Sequence, residues 1–191
     1  MSQINQEIEI IKKQIVSVLI LFFMFVMIFS TVNVGLAANT ANTNLAQNIL
    51  AGSLDMTAPA QLNFTDVSLN GSQQYSNTNL NGVNVVDYRG GAGTGWNLTV
   101  YANNLVAGSN NINILARLNV APGQVTSDKN AAAGSNFMMP INSATAAVLM
   151  NASSSNGTGV SNITNSLFKL NIAASDVAGT YTAVMTFTVS S

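Results

Sequence analysis

The 191-residue chain contains no cysteine and no histidine, has only three prolines, and carries few charges: six Lys and Arg against seven Asp and Glu. Each shortage excludes a class of chemistry. Without Cys there is no disulfide, no thiol nucleophile and no Cys-ligated zinc or iron–sulfur site. Without His there is no Ser-His-Asp triad, and no side chain whose unperturbed proton affinity falls near neutrality. A net charge of −1 supplies no basic face for a phosphate backbone, so nucleic acid is not an expected partner. Beyond residue 38 the ionisable groups other than tyrosines are Asp55, Asp66, Asp87, Asp128, Asp176, Arg89, Arg117, Lys129 and Lys169. These scattered Asp residues do not suggest a glycosidase pair, and Asp128 with Asn130 is too poor in carboxylates for a tight calcium site. The expectation is a protein without catalysis, cofactor or metal.

What is present begins with a leader. Residues 15–29 are apolar except for Ser17, Lys12 and Lys13 stand just before them, and the small residues Gly35 and Ala37 follow. A basic start, an apolar stretch and a small-x-small end read as a signal peptide over 1–37, cut after Ala37 or one residue later. The apolar run is shorter than the ~20 residues a membrane span needs. Glu7 and Glu9 in a long n-region keep a second reading open, an uncleaved N-terminal anchor. Under either reading the rest is exported, and a membrane is met only through an uncleaved leader. Residues 38–48 read as a short polar linker and 49–191 as the folded part.

That part is expected to be all-β. Short apolar stretches at 49–57, 61–69, 83–87, 95–102, 112–120, 145–151, 167–173 and 180–190 are cut by Pro59, Asn70-Gly71, Asn81-Gly82, the Gly-rich 90–95, Pro122-Gly123, Asn156-Gly157 and Ala178-Gly179. Gly and Asn tolerate positive φ and Pro fixes its own, so these punctuate turns. Trp96, Leu98 and Val100 alternate with Asn97, Thr99 and Tyr101. Tyr181, Ala183, Met185, Phe187 and Val189 alternate with Thr182, Val184, Thr186, Thr188 and Ser190. Period two marks half-buried strands. The expected architecture is a single β-sandwich, Ig-like or jelly-roll-like, after an N-terminal signal-peptide helix. The surface is rich in Asn, Ser and Thr, which suits polyhydroxylated, N-acetylated partners and equally suits an exported protein that stays soluble without charge.

Two motifs resemble a known family. Asp87-Tyr88-Arg89-Gly90, the Gly-rich stretch to Gly95 and Trp96-Asn97-Leu98 resemble the first signature of the WxL surface domain. The Gly179-Thr180-Tyr181 strand that ends in Phe187-Thr188-Val189 resembles the second, with Phe and Val where the family usually has Trp and Leu. Phe keeps the aromatic face and loses the indole N–H. The resemblance covers about residues 50–191. It implies an all-β domain that holds an exported protein non-covalently on the Gram-positive cell wall, with peptidoglycan as ligand and, in some members, other cell-surface proteins or host matrix as partners.

On that basis Trp96, Leu98, Phe187, Val189, Arg89 and Asp87 form the candidate ligand patch. Two readings stand for each part. Trp96 is either a stacking platform for a sugar ring or a core filler, since aromatics in alternation with aliphatics usually face inward. Arg89 either meets a ligand carboxylate or carbonyl, or locks the Gly-rich loop through Asp87, the loop carbonyls or Trp96. The expected function is non-catalytic wall binding. The alternatives are a structural subunit of a surface complex or fibre, pairing through an open sheet edge, and an adhesin for host glycans.

Overall fold

The computed structural model describes residues 2–29, 41–90 and 94–191. The chain divides into two units at Gln47/Asn48. In the first, helix α1 (Ser2–Phe29) runs 28 residues without interruption. Its stretch Gln3–Met27 is long and apolar enough to cross a membrane, a property that signal sequences share. The expected cleavage region around Ala37 lies outside the described residues. Residues 41–48 form no regular structure and are exposed.

The second unit is the expected all-β sandwich. Its strands in chain order are β1 (Leu54–Thr57), β2 (Gln74–Leu80), β3 (Val83–Asp87), β4 (Trp96–Ala102), β5 (Leu105–Ala107), β6 (Asn110–Ile112), β7 (Leu118–Ala121), β8 (Gln124–Ser127), β9 (Ala132–Ala133), β10 (Phe137–Met138), β11 (Ala147–Ala152), β12 (Gly159–Thr164), β13 (Ser166–Ile172) and β14 (Met185–Ser190). One short helix, α2 (Ile114–Arg117), precedes β7 and is capped by the Asn113 side chain. All pairings are antiparallel. Sheet orders are β1-β3-β12-β8, β10-β7-β13-β2 and β14-β4-β11-β9, with β5-β6 as a separate hairpin.

The first two sheets are joined by a shared set of corners. Strands β2, β7 and β13 of one sheet continue into β3, β8 and β12 of the other, through Asn81-Gly82, Pro122-Gly123 and Asn165. Strands that change sheet at a bend are the usual way to make such a corner. Here the three bends are stitched together. Asn165 N donates to the Asn81 side chain at 2.7 Å, and Gly123 N donates to Ser166 Oγ at 3.0 Å. A Cβ on Gly123 would stand 1.9 Å from the Thr164 carbonyl oxygen, so only glycine fits. Gly82 and Asn165 take positive φ, 78° and 58°.

Inner faces of all three sheets feed one apolar core, in which Val85, Leu98, Val100, Leu149, Ile163 and Phe168 are enclosed. At ~25 cal/mol per Å² of apolar surface removed from water, this burial is the main favourable term of the fold. The outer faces carry rows of amides and hydroxyls. On the first sheet the row runs Thr57, Asn84, Asn162, Thr126. Its Asn84 donates to Thr57 at 3.3 Å and accepts from Asn162.

Several sequence expectations shift. Strand 83–87 is as expected, and 95–102 and 167–173 hold to within a residue at either end. No strand forms at 61–69. Leu62 and Phe64 pack on the core from an irregular segment instead. Strand β2 is unexpected, because Tyr-Ser-Asn-Thr-Asn has little apolar patterning; it forms by pairing with β13 along its whole length, a tertiary effect that overrides local preference. The expected strand 112–120 is broken by α2, and 180–190 is a strand only from Met185.

Candidate functional site

Strands β4 and β14 lie side by side. Phe187 faces Val100, Val189 faces Leu98 and Met185 faces Ala102. The two distant motifs of the sequence are therefore neighbours, and their alternation sets two faces. Trp96, Leu98 and Val100 point into the core, where Trp96 is 1% and Leu98 0% exposed. Phe187 and Val189 are half-buried and lean on the same core. The sequence left Trp96 between platform and core filler; the fold makes it core. An open indole face beside Phe187 does not exist here, and Leu98 and Asp87 are equally shut away.

The indole is held as well as enclosed. Its Nε1–H donates to the Gly157 carbonyl at 3.1 Å. Gly157 has φ +77°, and a Cβ there would come within 2.4 Å of Nε1. Asn156-Gly157 therefore acts as a close-fitting cover for Trp96, which the sequence showed only as a turn.

Asp87 and Arg89 are brought together in the loop-lock arrangement. Asp87 Oδ1 accepts from Arg89 N at 3.1 Å and from Nε at 2.9 Å, while Oδ2 accepts from Nη2 at 2.9 Å. Nη2 also donates to the Gly95 carbonyl at 2.9 Å. One guanidinium thus ties both ends of the Gly-rich turn, whose residues 91–93 lie outside the described ones. The Arg89 hydrogen bonds hold the Asp87 carboxyl below the usual carboxylate range and outweigh the opposite push of burial. The same pair raises Arg89. A ligand carboxylate would have to compete with a bidentate partner already in place.

A second lock of the same kind has no sequence motif to announce it. Arg117 at the end of α2 pairs with both oxygens of Asp176 and donates through Nε to the Asn171 carbonyl at 2.8 Å. Asp176 is lowered chiefly by that pairing. Among the described residues no group of three or more His, Cys, Asp or Glu is placed to hold a metal.

The surface available at the motif strands is their opposite face. Asn97 faces Ser190, Thr99 faces Thr188 and Tyr101 faces Thr186. Asn151 and Val148 of β11 extend the rows beside Asn97 and Thr99. Asn97, Thr188 and Ser190 are exposed, and Thr99, Tyr101 and Thr186 half-exposed. Thr99 Oγ donates to the Thr188 carbonyl at 3.3 Å, which fixes that hydroxyl on the strand pair. The face is uncharged and regular, with one aromatic ring. Its residues were legible as the outward half of the alternation, but the motif letters drew attention to the inward half.

The family model described as WxL domain surface cell wall-binding matches residues 37–191. No curated protein and no solved structure matches the chain.

Proposed function

Since this chain belongs to the WxL family of surface cell wall-binding domains, we propose that it binds the peptidoglycan of that wall through the outer face of the β4–β14 strand pair, without catalysing a reaction on it. The observation that carries this reading is the register of Asn97 with Ser190, Thr99 with Thr188 and Tyr101 with Thr186. These pairs set amides and hydroxyls in rows on one face of the sheet, beside one phenol ring. Amides and hydroxyls both donate and accept, which matches sugar hydroxyl and acetamido groups. The Tyr101 ring adds apolar contact with a polar end. Each contact is weak; retention comes from the many repeats of the polymer. The near-neutral charge suits a neutral glycan better than an anionic polymer as the main ligand. Binding without chemistry is supported by the residue inventory and by the way Asp87 and Asp176 are each committed to an arginine.

The test is co-sedimentation of the full-length chain with purified, protein-free sacculi. Tyr101→Ala combined with Thr99→Ala is expected to cut the retained fraction several-fold while the circular dichroism spectrum stays unchanged. Full retention by that variant, or no retention of the parent protein, overturns the reading.

One observation favours a second reading, a subunit of a surface assembly. Strand β14 is an edge strand hydrogen-bonded to β4 alone in its sheet, and Met185–Ser190 carries no charge and no proline. Such an edge can accept a strand from another chain. Failure to sediment with sacculi, together with concentration-dependent oligomers in light scattering, would select it.

A further inference from the structure

We propose that a second binding site, for a carboxylate-bearing saccharide, lies on the outer face of the β2–β13–β7 sheet and is built on Lys169 and Tyr75. It stands on a different sheet from the strand-pair face and does not depend on the reading given above.

The site starts from a charge that the fold leaves unused. Both arginines are committed, Arg89 to Asp87 and Arg117 to Asp176. Lys169 forms no ion pair among the described residues; its ammonium instead sits 4.0 Å from the centroid of the Tyr75 ring. A cation over an exposed aromatic face is biased toward that place by an attraction comparable with thermal energy, which leaves its hydrogen-bonding capacity unspent. Three donors remain for an anion. The ring is held too, because its hydroxyl accepts from Gln73 Nε2 at 2.6 Å, yet Tyr75 is 51% exposed.

The register then sets the flanks. Lys169 lies between Asn77 of β2 and Asn119 of β7, all three on the outer face and all exposed. Tyr75 faces Asn171 across the pair, and the Asn171 side-chain oxygen is enclosed without a hydrogen-bond partner. Along the paired residues of this face there is no Asp or Glu. A ligand carboxylate therefore meets flanking amides and one cation with no ion-pair partner among the described residues, while the Arg117–Asp176 pair stands at the Asn171 carbonyl. Charge complementarity selects an anion, and the amides on both sides select one that also carries hydroxyl or acetamido groups. Lys169 stands on β13, which is paired on both sides and offers side chains rather than free backbone groups, so recognition there rests on side chains.

Calorimetric titration of the full-length chain in a non-saccharide detergent tests this, with tetragalacturonate, its methyl ester and the neutral tetramer of N-acetylglucosamine as probes. The acid is expected to bind at least tenfold more tightly than the ester at low salt, with the preference shrinking as salt rises. Lys169→Gln should abolish the preference and Lys169→Arg should keep most of it. Tyr75→Ala should weaken both acid and ester. Equal binding of acid and ester, survival of the preference in Lys169→Gln, or no binding of any probe overturns the proposal. The Tyr101→Ala, Thr99→Ala variant is expected to keep the acid-over-ester preference, so that loss of sacculus retention and loss of acid preference fail separately.

Discussion

The two faces of the β4–β14 pair come from the same dozen residues and do opposite things. The inner face holds Trp96, Leu98 and Val100 in a closed core; the outer face holds Asn97, Thr99 and Tyr101 in register with Ser190, Thr188 and Thr186. The motif that identifies the family is therefore architectural at its letters and available for contact at the positions between them. The Trp-x-Leu spacing states which side of the strand is inside. Once that side is fixed, period two fixes the side left open for contact.

The sharpest way to break this comparison is to cut the inner face. Trp96→Ala removes a fully enclosed ring and leaves the Gly157 carbonyl without its N–H donor. A loss of about 3–5 kcal/mol of stability is expected, measured by chemical denaturation. Sacculus retention at low temperature should then follow the folded fraction alone. A variant that stays fully folded and yet loses retention would mean that the indole touches the polymer, and the division of faces would fail.

Next in size is the lock that joins the faces at one end. Arg89→Ala leaves the Asp87 carboxylate enclosed with only the backbone N–H of residue 89. The expected cost is about 3 kcal/mol. Asp87→Asn in the same background should recover part of it, because the unpaired charge is gone. The same lock sets a pH dependence. The folded-state proton affinities of Asp87 and Asp176 are both lowered by their arginines. In the pH interval between the folded and unfolded values the unfolded chain binds more protons, so stability falls as pH falls. Thermal melts should be flat from about pH 5 to 8 and drop below about pH 5, where a free aspartate begins to protonate. A drop that persists unchanged in a double Asp87→Asn, Asp176→Asn variant would assign it to other groups.

Much of this was legible in the chain and some of it was not, for identifiable reasons. Clean alternation placed β4 and, in the second half of the expected strand 180–190, β14, and it gave both of their faces. The loop-lock role of Arg89 follows from the entropy that a Gly-rich turn must be held against, and the geometry has that form. Strand β2 was hidden because Tyr75, Asn77 and Asn79 face solvent while the inward set includes Ser76 and Thr78, which leaves almost no hydrophobic signal. Arg117 and Asp176 stand far apart in sequence and meet only because β7 pairs with β13, which sets the end of α2 beside the turn that follows β13. The Lys169–Tyr75 pair is likewise a product of register, and no spacing rule reaches it. Gly157 looked like one more turn residue; its role as the seat of an indole 61 positions away requires the fold.

The outer face gives a smaller effect in a different quantity. Tyr101→Ala is expected to weaken sacculus binding by about 1–2 kcal/mol, five- to thirtyfold, as for an aromatic anchor in a contact patch. Its effect on stability should be below that of Trp96→Ala, because Tyr101 is only half-buried. If binding and stability fell together in both variants, the two faces would not be separable in function.

The smallest effect tests the one departure from the family pattern. Phe187 faces Val100 on an edge strand, half-buried and leaning on the core. Phe187→Trp restores the family's usual aromatic. Enlarging a side chain strains a closed core by about 1–3 kcal/mol. At a half-open edge position the larger ring has room toward solvent, where its N–H can be hydrated. The expected change is therefore within about 1 kcal/mol of zero, a shift of a few degrees in the melting temperature by calorimetry. Retention on sacculi should not change, because residue 187 lies on the inner side of a strand whose outer side is the proposed contact surface. A several-fold gain in retention at unchanged stability would instead place the aromatic of the second motif at the ligand, and would move the binding surface from the outer face of β14 to its open edge.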